Sequence, residues 1–402
     1  MAGRLMAGIA SPSPRVFFYV QHLLGIGHLA RASRIAQALA DDAFDVTMVT
    51  GGTPVPGFPG PRIRHVELPP MAAGDAGFSG LVDLTGTPVD DAFKDRRRDL
   101  LLAVFREARP DVVIIEAFPF GRRQVRFELM PLLEAIASRA APPIVLSSVR
   151  DILQQRRKPG RDEESVALAS AHFDGIFVHG DPSFARLEDS FPLAGQIADR
   201  LLYTGLVAAR PQAPAAERFD ILVSAGGGAV GAALNAAAIA AARALPPTLR
   251  WCLVAGPNLP QPAFEAVLLA APDNVVVERF RADFPGLLSG ARLSVSQSGY
   301  NTVCDVLRAG CRAVYVPFTA GGETEQAARA ERLRQMGLAT VVGERSLTPQ
   351  TLTEAIATTL DRPRPPPPPL DLDGARTTAR LLRALLAGTP VATLASETAV
   401  RR

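Results

Sequence analysis

A chain of 402 residues is long enough for two globular domains, and 48% hydrophobic with 21% charged residues is the balance of a water-soluble protein able to bury cores. Three cysteines (Cys252, Cys304, Cys311) make no disulfide framework, and no cysteine/histidine spacing suits zinc, which points to a reducing, cytoplasmic setting. No apolar run has the length of a membrane span. The formal net charge is +3, but Arg96-Arg97-Arg98, Arg122-Arg123 with Arg126, and Arg156-Arg157-Lys158 with Arg161 gather in the first half. These runs read as solvated faces of an arginine-rich chain, whose lysines are Lys94 and Lys158 alone, or as a surface for an anionic partner such as lipid headgroups. No nucleic-acid-binding motif accompanies them.

Residues 1–14 lack the apolar stretch of a signal peptide and read as a tail. Residues 15–20 form the first expected strand and 29–39 the first helix. Between them Gly25-Ile26-Gly27-His28-Leu29-Ala30-Arg31 fits the loose dinucleotide turn, glycine-x-glycine-x-x-alanine. The second strand, 45–49, runs into Thr50-Gly51-Gly52 with no acid for a ribose, which disfavours NAD. His28 is then either a helix-start residue bonded to backbone or a base at a cleft. A third strand (62–68), a long loop (69–89), an amphipathic helix (91–109) and an apolar strand (111–115) follow. Glu116 ends that strand, either facing the same cleft as His28 or serving as a capping or surface carboxylate. Strands at 144–148, 175–179 and 200–203 alternate with helices. His65 and His179 read as structural, and Asp151 is a strand-end acid of no assigned purpose.

Residues 208–216, rich in alanine and proline, read as a linker. A strand (219–224), the loop Ala225-Gly226-Gly227-Gly228 and a helix (231–245) open the second domain. A glycine turn before a helix suits a pyrophosphate, because backbone amides approach closely and the helix N-terminus is positive. Again the next strand (250–255) ends without an acid, at Gly256-Pro257. Strand 275–277 leads to Phe280-Arg281. Strand 291–296 breaks at Gln297-Ser298-Gly299, and helix 301–309 ends at Gly310, where a left-handed cap is expected. Val303, Val306 and Leu307 share one helix face, so Asp305 is expected on the other, free of the core. Strand 312–317, a loop and helix 323–336 complete a parallel unit, whose ligands belong outside the carboxyl ends of its strands. Ser298, Gly299, Asn301 and the loop ending at Gln326 would meet there, although Ser-Gly also serves simply to end a strand and cap a helix. Residues 362–369, nearly all proline, make an extended spacer. Helix 371–386 is expected to cross back to the first domain. Asp371-Leu372-Asp373 spells an acid-x-acid metal motif, but in a tail, and is discounted.

The run SQSGYNTVCDVLRAG followed by VPFTAGGETEQAARAERLRQMG resembles the carboxyl domain of family-28 glycosyltransferases, over about residues 219–360, and is most similar to the predicted glycosyltransferases of that type. The resemblance implies an α/β, GT-B architecture: two doubly wound Rossmann-like domains facing across a cleft. An acceptor domain (15–207), a linker (208–218), a donor domain (219–360), a proline-rich spacer (361–370) and a final helix (371–388) follow from it. It implies inverting transfer of a hexosyl group, N-acetylglucosamine-like, from a UDP-sugar co-substrate, with no metal or other cofactor. His28, or else Glu116, would be the base. Gly226, Gly227 and Gly228 would hold the diphosphate, with Ser298, Gly299, Asn301 and Thr302 lining the donor turn. Phe280 and Arg281 would meet the uracil, Asp305 the ribose, and Glu325 and Gln326 the sugar. The family usually carries two glutamines at the last two positions. Gly25, Gly27 and Arg31 would face the acceptor, implied to be a lipid-linked or polysaccharide precursor of the cell envelope at the inner face of the membrane, not a nucleic acid. The motif GIGHLAR also resembles the GxGHxxR of related UDP-sugar hydrolases. A UDP-sugar hydrolase or epimerase on this fold, and a non-catalytic sugar-nucleotide binder, stand as alternatives.

Overall fold

A computed structural model describes residues 13–23, 25–74, 80–155, 158–226, 231–256 and 258–400. The first domain is built on β1 (Arg15–Val20), α1 (Gly27–Asp41), β2 (Asp45–Thr50), β3 (Arg64–Glu67), the hairpin β4 (Met71–Ala73) and β5 (Leu81–Asp83), and α2 (Asp91–Ala108). It continues through β6 (Val112–Glu116), α3 (Arg126–Ala137), β7 (Ile144–Arg150), α4 (Arg161–His172), β8 (Gly175–His179) and β9 (Leu201–Tyr203). Its main sheet runs in the order β3-β2-β1-β6-β7-β8-β9, all parallel. The central strands are buried on both faces, as the apolar runs of β1 and β6 require.

The second domain contains β10 (Ile221–Ser224), α5 (Ala232–Ala244), β11 (Trp251–Val254), α6 (Gln261–Ala270), β12 (Val275–Glu278), α7 (Phe284–Gly290) and β13 (Leu293–Ser296). Next come α8 (Tyr300–Ala309), β14 (Arg312–Tyr315), α9 (Glu325–Gln335), β15 (Thr340–Val341) and α10 (Pro349–Asp361). Its sheet is also parallel, ordered β12-β11-β10-β13-β14-β15. Gly310 caps α8 at φ +59, the left-handed conformation expected from the sequence.

After the proline run, Asp373 makes an isolated bridge with Val207 of the connecting segment. α11 (Gly374–Leu386) then packs on α1, and a further helix not expected from the sequence, α12 (Val391–Ala399), packs on β9. One buried apolar cluster joins Val16, Phe18 and Leu29 of the first domain to Val303, Val306 and Leu333 of the second and Leu382 of α11. The two domains thus share a core.

The long loop 69–89 contains the small antiparallel hairpin β4–β5, whose strands are too short to show an alternating pattern. The arginine runs are largely spent within the protein. Arg97 is wholly buried against Glu128 and Gln21, Arg98 pairs with Asp95 and Asp99, and Arg123 and Arg126 pair with Glu164. Arg156 and Arg157 lie outside the described residues. No helix among the described residues is long and apolar enough to cross a membrane.

Candidate active site

In the first sheet the chain leaves β1 toward β2 on one side, while β6 continues toward β7 on the other. A crevice opens where such a sheet reverses. Tyr19 lies opposite Ile115, so the loops leaving both strands start side by side. His28, in the first turn of α1, and Glu116, the last residue of β6, meet there: Nδ1 of His28 is 2.8 Å from Oε1 of Glu116. The same oxygen accepts from Arg31, and Oε2 accepts from Ser148 Oγ at 2.5 Å. With its hydroxyl hydrogen donated in the bond to the carboxylate, Ser148 Oγ accepts from His179 Nε2 at 3.0 Å.

These contacts set the charges. Burial raises the Glu116 pKa, but the Arg31 cation and the hydrogen bonds from His28 and Ser148 outweigh it and hold the carboxyl at about 2. Burial, then the charge of Arg122, lowers His28 to about 3; burial and Arg31 do the same for His179. At neutral pH the site holds a carboxylate and neutral imidazoles. A carboxylate has no proton to share, so Nδ1 of His28 carries the hydrogen and Nε2 is an acceptor with no partner among the described residues, on a side chain that is 16% exposed.

The second sheet reverses between β10 and β13. Ser224 lies opposite Ser296, so Gly226 and the turn Gln297-Ser298-Gly299 leave the sheet together. Gly226 has φ +76, and a Cβ there would come within 3.5 Å of Gln297 Oε1. Gly227 and Gly228 lie outside the described residues. Among the described residues a Cβ on Gly299 would meet nothing within 4 Å, which leaves room in front of the α8 N-terminus, whose amides and dipole favour an anion. Ser298 Oγ donates to the Gln326 carbonyl at 2.8 Å, and Gln326 Oε1 accepts from the Phe318 amide at 3.2 Å, which ties this turn to the loop before α9. Thr302 is half-buried in the first turn of α8. Phe280 exposes its ring, whereas Arg281 is held by Glu217 and Asp283.

Several side chains bridge the two crevices. Asn301 Nδ2 donates to the Gly27 carbonyl at 2.9 Å, just beyond Gly25. Asp305, expected to be free of the core, is 6% exposed: Oδ2 accepts from Arg34 at 2.7 Å and Oδ1 from the Ala209 amide at 3.0 Å. A helical wheel of α8 alone cannot show this, because the neighbour covering that face is α1 of the other domain. Glu325 is buried as well, with Arg150 at 2.5 Å and Arg329 at 2.7 Å. Arg329 in turn holds Asp151 at 2.6 Å and the Ser298 carbonyl at 3.0 Å, which settles what the strand-end acid Asp151 does. Two acids expected to face the donor are therefore occupied by guanidiniums, Arg34 and Arg150 coming from the opposite domain.

Sequence reasoning missed Arg34, Arg150, Arg329, Ser148 and Tyr300. Only the spacing Glu325-x-x-x-Arg329, one helical turn, was a readable signal. A cavity of about 1260 Å³ lies between α1, the connecting segment 208–212 and α11, and neither His28 nor Ser298 lines it. Crevice geometry rather than cavity size marks the site. Among the described residues no three of His, Cys, Asp and Glu cluster as metal ligands.

Residues 222–367 match the model of the glycosyltransferase family 28 C-terminal domain. Two similar curated proteins are both UDP-N-acetylglucosamine--N-acetylmuramyl-(pentapeptide) pyrophosphoryl-undecaprenol N-acetylglucosamine transferases. That of Methylorubrum populi is 33% identical over 120 residues, 30% of this chain and 31% of that protein. That of Brucella suis is 30% identical over 199 residues, 46% of this chain and 52% of that protein. The chain thus spans about a third to a half of these relatives. Among solved structures, the calicheamicin glycosyltransferase CalG4 aligns with TM-score 0.56 at 18% identity, covering 96% of this chain and 97% of that one. MurG of Acinetobacter baumannii aligns with TM-score 0.53 at 19% identity, covering 91% and 95%. The fold shared with both is GT-B, two Rossmann-like domains across a cleft. Residues 222–367 are thus similar to the C-terminal domain of glycosyltransferase family 28, within a chain whose fold is GT-B.

Proposed function

We propose that the protein is a glycosyltransferase that moves a hexosyl group, N-acetylglucosamine-like, from a UDP-sugar to an acceptor hydroxyl with inversion at the anomeric carbon. One observation carries this reading: a histidine bonded through Nδ1 to Glu116 lies across the domain boundary from the start of α8, where among the described residues nothing crowds Gly299. In the reaction the acceptor O–H gives its proton to His28 Nε2, and its oxygen bonds to the anomeric carbon. The bond from that carbon to the donor oxygen breaks on the opposite face, with its electron pair leaving on UDP. Glu116 steadies the imidazolium as it forms. The departing diphosphate is assigned to the amides at Gly226 and at the start of α8 rather than to a metal ion. Phe280 and the backbone beside Arg281 take the uracil, Asp305 the ribose, and Glu325 and Gln326 the sugar. By likeness to the relatives' named substrates, the acceptor is a lipid-linked envelope precursor, met by a cytoplasmic protein at the membrane face.

A second reading is favoured by Arg31, the last residue of the GIGHLAR motif shared with UDP-sugar hydrolases, because it bonds the same carboxylate as His28. A panel of UDP-sugars, each with and without a lipid-linked acceptor, separates the two. Transfer predicts UDP release only with acceptor and an inverted product, whereas release with donor alone supports hydrolysis. No turnover and no UDP-dependent thermal shift would contradict both.

A further inference from the structure

Tyr300 is the first residue of α8 and belongs to the second domain, yet its side chain ends inside the first. It is buried, and its hydroxyl donates to the His179 carbonyl at 2.7 Å while accepting from the Val207 amide at 2.9 Å. Its ring carries two guanidiniums: Arg31 of the first domain lies 5.1 Å from the centroid and Arg329 of the second 5.7 Å. Cations seated on an aromatic face away from water are held in place by the ring's quadrupole.

Both supports of Glu116 lead back to this tyrosine. Oε1 is held by Arg31, which lies over the ring. Oε2 is held by Ser148, which accepts from His179, whose own carbonyl takes the Tyr300 hydroxyl. Ser298 and Gly299 immediately precede Tyr300, so the segment that carries the donor turn also carries the piece that completes the base.

We propose that Tyr300 is a positioning residue: seated in the first domain, it fixes Arg31 and His179, and through them the Glu116 carboxylate against His28 Nδ1, so that the base is assembled only when the donor domain is docked. This rests on the catalytic role proposed for His28. The hydrogen-bonding pattern argues against plain packing. A ring that merely filled space would leave the hydroxyl to any neighbour, whereas this one ties the end of β8 to the connecting segment between the domains. Preorganisation of this kind raises kcat without altering donor affinity, because the groups concerned never touch the donor.

The full-length chain with Tyr300→Phe tests it. The ring stays over both guanidiniums while both hydroxyl bonds are lost. Nitrogen-15 NMR of the His28 imidazole should show the neutral Nδ1–H form in the unsubstituted protein and a mixture of tautomers in the variant. With an active donor and acceptor pair, kcat should fall about tenfold, the scale of a slight misplacement of a reacting group, while donor KM and UDP affinity stay within about twofold. Tyr300→Leu, which removes the ring as well, should shift both readouts further; if it fails to fold, the phenylalanine variant decides alone. A purely structural tyrosine predicts a lower melting temperature with His28 resonances and kcat unchanged, and that result overturns the proposal. Should no donor and acceptor pair prove active, the catalytic reading fails, while the imidazole resonances still decide whether Tyr300 positions His28.

Discussion

The two walls of the cleft are finished to different degrees. On the first-domain wall, the direct hydrogen bonds to the Glu116 carboxylate come from within that domain, from His28, Arg31 and Ser148, with Tyr300 of the second domain seated behind Arg31 and His179. On the second-domain wall, the acids expected to hold the donor are matched by arginines reaching over from the other side, Arg34 to Asp305 and Arg150 to Glu325. With the domains docked the proposed base is therefore held in place, whereas the proposed donor site is closed by ion pairs that a nucleotide sugar would have to replace. Such pairs cost desolvation when formed and are returned to solvent or to the ligand when broken, so exchanging them for donor hydroxyls need not be expensive.

The largest effect is expected where the two walls are joined most deeply. Arg329 is buried and serves Asp151 of one domain and Glu325 of the other. Arg329→Ala leaves Asp151 charged and unpaired, which for a buried pair costs about 3–5 kcal/mol. Calorimetric unfolding should show that loss as a lowered transition. A cost below about 1 kcal/mol, the scale of an exposed pair, would mean that the walls part easily and that the closed arrangement is only loosely held.

Next in size is the chemical step on the finished wall. His28→Gln should lower turnover by roughly a hundredfold, the usual loss for a general base, and leave UDP affinity unchanged. Full activity in that variant would move the base to Glu116. The pH profile sharpens the point. Because burial and Arg122 lower the His28 pKa to about 3, the imidazole is already in its basic form well below neutrality. Activity limited by this group should stay level as pH falls from 7 to 5, instead of dropping at the ordinary histidine value near 6.5. The sign for stability is the same: a lowered histidine pKa contributes stability above the unfolded value, lost progressively as pH falls from there toward about 3.

How much of this was legible in the sequence differs between the walls for a physical reason. Strand-and-helix periodicity placed His28 and Glu116 at strand ends, and adjacency of β1 and β6 was enough to bring them together. The sequence reading turned Glu116 toward the same cleft as His28 or made it a capping carboxylate, and set the two as alternative bases, because nothing local says that strand ends separated by a helix, two strands, a hairpin and another helix come within hydrogen-bond distance. Gly310 was readable because a left-handed cap is a local demand. Asp305 was misread because its surroundings are not local. The wheel of α8 is correct about Val303 and Val306, but the face it leaves open is covered by Arg34, which lies far away along the chain. The arginine runs misled in the same way. Arg97 stands among exposed neighbours in α2, yet is buried against Glu128 from α3. A charge run shows the count of cations and not which of them already have partners.

If Asp305 takes the donor's ribose as proposed, Arg34 now occupies the ribose's place. Calorimetric titration of UDP into the full-length protein and into Arg34→Ala, at low ionic strength and slightly alkaline pH, measures it. With the competing guanidinium gone, UDP should bind the variant about 3–10-fold more tightly, because the binding-competent site no longer has to be freed first. Equal or weaker binding by Arg34→Ala would place Asp305 outside the nucleotide site and contradict the account.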